Sequence, residues 1–219
     1  MKTIKGVTLL GLAGILSTAA SAQNVVSPSK EERIELSEKQ MKLLLSLTPE
    51  HFTQTTTTND GDLDTIAVLD TSEGYKNKGR FTDPVKSDNF LRALIIKATG
   101  AVRYQVYQTV TYNSVFRDFR SVNFGTLAGP RSAELGTLKH EVINCAYGVC
   151  TYRDDVGFDV PDALMRDIAN TYVSGASPLW GFKFNAQSGV NWEDCMTPAE
   201  AAGLLAAVAK YRSAHPIKN

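Results

Sequence analysis

From Val102 the chain alternates for eleven residues. Val102, Tyr104, Val106, Val110 and Tyr112 fall on one side, and Arg103, Gln105, Tyr107, Thr109 and Thr111 on the other. Period two over that length predicts a β-strand with one buried and one wet face. A second alternation sets Cys150, Tyr152, Val156, Phe158 and Val160 against Thr151, Arg153, Asp155 and Asp159. It forms the return arm of a long hairpin predicted over residues 138–160, turning at Tyr147-Gly148. Shorter runs of β-formers predict strands at 52–58 and 63–71 around Asn59-Asp60-Gly61, at 90–98 before Thr99-Gly100, and at 115–124. A further hairpin joins 179–186 to 190–194, while the Gly- and Pro-punctuated stretches 74–88 and 125–131 read as loops.

Three segments carry helical spacing. Ser29-Lys-Glu-Glu32 matches a capping box, and Ile34, Met41, Leu44 and Leu45 extend it as an apolar stripe over 30–47, closed by Thr48-Pro49. Pro161-Asp162 opens a short helix with Leu164, Ile168 and Tyr172. Thr197-Pro198-Ala199-Glu200 opens a last helix, to about Ser213, with Ala201, Leu204, Leu205, Val208 and Tyr211 on one face. Strands joined by tight turns pair antiparallel, because parallel neighbours need long crossovers. The expectation is therefore a single α+β domain over 23–219. Its antiparallel, hairpin-rich sheet carries an N-terminal, a middle and a C-terminal helix packed on it.

The first 22 residues differ from the rest. Lys2 and Lys5 precede an apolar run at 6–16 too short to span a bilayer, and Ala20-Ser21-Ala22 supplies a small-x-small cleavage pattern. The order predicts a signal peptide removed before Gln23, with a loose lead-in at 23–28 and a periplasmic or secreted product. No Cys stands at the cleavage point, which argues against a bacterial lipid anchor, and no later run has the length of a membrane span. The whole chain holds 23 basic and 23 acidic residues; without Lys2 and Lys5 the formal charge is −2. That balance offers no field for nucleic acid or an anionic membrane. The expected partner is an unidentified ligand or protein.

An exported chain meets oxidising conditions. If Tyr147-Gly148 is a two-residue turn, Cys145 and Cys150 form the second cross-strand pair, with α-carbons about 4.5 Å apart. That is within the reach of a disulfide, and Cys195 is left free. His140-Glu141-Val142-Ile143-Asn144 nearly spells a zinc helix, yet Asn144 stands where the second His belongs and the segment reads as strand. Asp60, Asp62 and Asp64 open like a calcium loop, but Thr65 and Thr71 occupy the Gly and Glu places. The sequence carries no metal, cofactor or nucleotide motif, and no nucleophile elbow. The wet face of the central strand, with Arg103, Gln105, Tyr107 and Thr109, is the candidate binding surface.

Four segments carry a family likeness: Asn89-Phe-Leu-Arg-Ala93, Tyr104-Gln-Val-Tyr-Gln108, Cys145-Ala-Tyr-Gly-Val-Cys-Thr-Tyr152 and Pro198-Ala-Glu-Ala-Ala202. Through them the stretch from about Asp88 to Tyr211 resembles a group of small exported bacterial proteins without an assigned activity. The resemblance implies export and nothing about chemistry. Two classes of function follow: a non-catalytic binding or assembly module of the periplasm or cell surface, and a hydrolase-type enzyme without a local motif.

Overall fold

The computed structural model describes residues 30–76, 85–176 and 178–216. The signal sequence expected at 1–22, the lead-in expected at 23–28 and Ser29 lie outside the described residues, as does 77–84 within the expected loop at 74–88.

The β-rich α+β class holds, but the strands form two sheets rather than one. In chain order the elements are β1 (Lys30–Arg33), α1 (Glu38–Ser46), α2 (Pro49–Thr55), β2 (Thr57–Asn59), β3 (Ile66–Asp70), β4 (Val85–Ile96) and β5 (Val102–Asn113). They continue with β6 (Phe119–Thr126), β7 (Gly129–Glu134), β8 (Gly136–Ala146), β9 (Val149–Val160), α3 (Asp162–Asn170), β10 (Trp180–Ala186), β11 (Val190–Met196) and α4 (Pro198–Ala214). One sheet runs β1-β11-β10-β6-β7 and the other β2-β3-β4-β5-β9-β8. All the pairings are antiparallel except β1 on β11.

The inner faces of the sheets meet through aromatic side chains. Phe158 of β9 stacks on Phe124 of β6 at 5.7 Å and meets Phe182 and Phe184 of β10 edge-on. Such offset and edge-to-face pairs add to plain area burial. Inward residues of β5 (Tyr104, Val106, Val110, Tyr112) join Leu91, Ala93 and Ile95 of β4 in the same core. Helix α4 lies on β3 and β4, with Ala201, Leu204, Ala207 and Val208 in that core, and packs against α2 and α3. Helix α2 comes so close that a Cβ on Gly203 would stand 2.4 Å from Phe52 Cβ and 2.7 Å from the Pro49 carbonyl oxygen.

The N-terminal region departs from expectation. The helix expected from residue 30 begins at Glu38, where Ser37 and Gln40 form the real capping box. Residues 30–33 are instead a strand beside β11, because Glu31 and Glu32 have partners outside any helix: Asn191, Lys183 and Arg117. Thr48-Pro49 opens α2 rather than closing a helix, its Thr hydroxyl accepting the His51 amide at 3.2 Å. The strand expected at 52–58 is therefore mostly helix. Strand β7 occupies part of the expected loop at 125–131; as an edge strand paired on one side it tolerates Pro130 and polar residues.

Candidate functional site

On β5 the alternation sorts the residues as expected: Tyr104, Val106, Val110 and Tyr112 are buried, while Arg103, Gln105, Tyr107, Thr109 and Thr111 point outward. Neighbouring strands extend this outer face. In register, Tyr107 sits between Phe90 and Gly157, Gln105 between Arg92 and Asp159, and Thr109 between Asp88 and Asp155. Tyr107 stacks on Phe90 with ring centroids 5.2 Å apart, and the Arg92 guanidinium lies 4.0 Å from the Tyr107 centroid. Asp70 of β3 fixes that guanidinium through two bonds, at 2.6 and 3.2 Å. On the other side of the strand, Asp159 accepts from both Arg103 and Gln105 at 2.8 Å. Partial burial of Asp159 is outweighed by these donors, which hold its carboxyl below the ordinary range. Asp155 accepts from Thr109 at 2.7 Å and Arg153 at 3.0 Å.

All four sequence candidates therefore share one surface with Phe90 and Arg92, which sequence reasoning did not place. Three Arg are matched there by three Asp, so the face is polar and electrically balanced. Gly157 lets the Leu138 side chain pack down beside Tyr107, since a Cβ there would stand 3.1 Å from the Val106 carbonyl oxygen and 3.4 Å from Leu138 Cδ1. Toward β3 the same face turns apolar: Ile66 opposes Ile96, and Val68 opposes Leu94.

The inner face of β5 holds a residue that the pattern concealed. Gln108 is fully buried and donates to Asp194 of β11 at 3.0 Å, tying the two sheets together. Asp194 also accepts from the Trp192 indole and the Cys195 amide. Burial drives its pKa up in spite of these donors. Glu200, in the first turn of α4, is buried as well. It takes the Thr71 hydroxyl at 2.5 Å and the Leu91 amide at 3.1 Å. Desolvation pushes its pKa to about 7, with Asp88 and Asp70 adding to the rise and the two donors opposing it. Cys195 is free, and its thiol is pushed up to about 12 by burial and by Asp194, so it is a poor nucleophile. The cavity among these groups has a volume of about 20 Å³, too small for an organic ligand.

A third cluster surrounds the β8–β9 hairpin. Cys145 and Cys150 are opposite in register and disulfide-bonded, with α-carbons 4.0 Å apart. Further along, Nδ1 of His140 meets Asp154 Oδ1 at 2.5 Å, and Tyr112 donates to Asp154 Oδ2 at 2.6 Å. The imidazole lies 4.3 Å from the Phe116 ring centroid, with Tyr152 stacked at 6.0 Å. A His oriented by a buried carboxylate is the supporting half of a general base. His140 stands on a strand, as its sequence context indicated, so the near-match to a zinc helix has no helix to act through. Asp60, first of the calcium-like aspartates, instead bonds Lys97 and the Tyr211 hydroxyl, and Asp64 accepts the Gly61 amide.

No helix among the described residues is long and apolar enough to cross a membrane. No family model, curated protein or solved structure matches this chain.

Proposed function

We propose that this chain is an exported, non-catalytic binding module that holds a neutral, hydroxyl-rich ligand, a glycan, on the outer face of its six-stranded sheet. The observation that carries the reading is Tyr107, stacked on Phe90 with the Arg92 guanidinium over its ring and flanked by fixed carboxylate, amide and guanidinium groups. An aromatic cluster suits the apolar patches of a sugar, and the planar polar groups suit its hydroxyls. Because Asp70 and Asp159 hold these side chains already, little side-chain entropy remains to be lost on binding. The balanced charge disfavours polyions of either sign. Export is supported by the first 22 residues and by the Cys145–Cys150 bridge, which belongs to an oxidising compartment.

A hydrolase reading would rest on His140 and Asp154, and it predicts an activity that His140→Ala abolishes. The two readings separate in one screen of the mature protein by thermal shift, against peptidoglycan fragments, neutral oligosaccharides, heparin and polylysine. The binding reading expects stabilisation by a neutral glycan that Arg103→Ala/Tyr107→Ala removes and His140→Ala leaves intact. Stabilisation by the polyions alone, or turnover of the glycan dependent on His140, would overturn it.

A further inference from the structure

Each sheet has two edges, and three of the four are blunted. Strands β1 and β2 have four and three residues, and β7 has six with Pro130 among them. The fourth edge, β8, runs for eleven residues and pairs only with β9. Among the described residues, no backbone bond ties its other side to any element. Leu138, Val142 and Ile143 on this strand are each about half exposed. A long open edge with exposed apolar side chains is a template for another strand. It is also held ready: Tyr147 and Gly148, both at positive φ, form the two-residue turn, and the Cys145–Cys150 bridge pins the strand behind it.

The pattern of the edge selects its partner. Backbone bonds point alternately toward β9 and away from it. Counted along β9 from the turn, Lys139 and Glu141 bond toward β9, and His140 and Val142 turn their amide and carbonyl groups to the open side. Bulges at Leu138 and Ile143 bound this regular stretch. Within it, Lys139 and Glu141 lie on the outer face, opposite in sign and one residue either side of His140. Charges in the middle of an edge turn most strands away. An antiparallel copy centred on His140 is the exception. It sets each Lys139 against Glu141 of the second copy, while the two His140 residues exchange backbone bonds. The Lys139–Glu141 bond within the strand, at 2.7 Å, survives this, because the two pairs merge into a square of alternating charge. A centre one residue either way sets Lys on Lys or Glu on Glu. The stretch is self-complementary, as a two-fold interface requires.

We propose that β8 is the interface between two copies of this chain, paired antiparallel about a two-fold axis at His140 into one twelve-stranded sheet. The ladder is short, so the dimer is weak and exchanges with monomer at micromolar concentrations. Both outer faces lie on the same side of the joined sheet. On the glycan reading, two Tyr107 sites then stand about 24 Å apart, the width of five strand spacings, and a multivalent glycan engages both. The dimer itself does not rest on that reading.

The test is sedimentation velocity on the protein spanning residues 23–219, from about 1 to about 500 µM. The expected result is a reversible rise from the monomer mass toward twice that value. Lys139→Glu and Glu141→Lys each place like charges opposite one another, and each should weaken self-association about tenfold or more. Mixed one to one, the two variants should associate with each other again, which no pairing within a single chain explains. The Lys139→Glu/Glu141→Lys double substitution should restore the homodimer, and Arg103→Ala/Tyr107→Ala should leave it unchanged. A monomer throughout the range, a dimer undiminished by either single substitution, or single variants that stay monomeric when mixed would overturn the proposal. A dimer lost in Arg103→Ala/Tyr107→Ala would place the contact on the β5 face and overturn it as well.

Discussion

Replacing Glu200 by Gln changes one proton-binding group and little else. The carboxylate oxygen that accepts from Thr71 and Leu91 can be kept by the amide oxygen, and the volume is nearly the same. In the folded protein the Glu200 pKa rises from 4.5 to about 7, chiefly through desolvation. The folded state therefore binds the proton more tightly than the unfolded chain. A raised carboxylate is fully tolerated below its unfolded pKa, and stability falls as pH rises through the folded value. A shift of that size corresponds to about 3 kcal/mol lost between pH 4.5 and pH 8. Gln cannot ionise, so Glu200→Gln should match the native protein near pH 4.5 and exceed it by about 2–3 kcal/mol at pH 8. Asp194 is shifted in the same direction but is present in both proteins, so the difference between them isolates Glu200. Urea denaturation followed by tryptophan fluorescence at pH 4.5, 6, 7 and 8 measures it. A stability difference that stays constant across that series would refute the assignment of Glu200 as a carboxyl kept protonated by burial.

Three further outcomes are expected. Gly203→Ala gains about 1 kcal/mol of helix propensity but drives a methyl into Phe52 and the Pro49 carbonyl, so a net loss of about 1–2 kcal/mol should appear on thermal unfolding. Replacing Cys145 and Cys150 by Ser should cost about 2 kcal/mol, the scale of so short a loop, and hydrogen exchange should rise at the tip of the β8–β9 hairpin. Tyr104→Ala/Val106→Ala should cost about 5 kcal/mol by core truncation, whereas Arg103→Ala/Tyr107→Ala should cost about 2 kcal/mol or less. The latter estimate counts one stacked ring and an ion pair whose side chains are 60 % and 58 % exposed; equal costs for the two doubles would show that the outer face is buried.

Where one side of an element is wet and the other dry, the sequence was legible. The β5 alternation, the β8–β9 hairpin with its disulfide register, and the Thr197-Pro198 start of α4 follow from local rules. The same Thr-Pro signature at Thr48-Pro49 opens α2, though there the preceding apolar stripe made it look like a terminator. Two capping-box spacings compete near the N-terminus. Ser37 prevails because Glu31 and Glu32 are committed to partners 160 and 85 residues away in sequence, respectively, which no local pattern reveals. The division into two sheets was hidden for the same reason: it is specified by Phe158 meeting Phe124 and by Gln108 meeting Asp194. Of the candidate face, Arg103, Gln105, Tyr107 and Thr109 were readable from one strand. Phe90 and Arg92 required the register of a second.

The central claim is tested most directly by mapping where a glycan touches the protein spanning residues 23–219. The fragment giving the largest thermal shift is titrated into ¹⁵N-labelled protein, and the amide movements are placed on the two sheets. The account expects them to cluster at Arg103, Gln105, Tyr107 and Thr109 and at the facing positions of β4 and β9, and to vanish in a folded Arg103→Ala/Tyr107→Ala protein. Movements centred on His140, or binding undiminished in that double substitution, would contradict it.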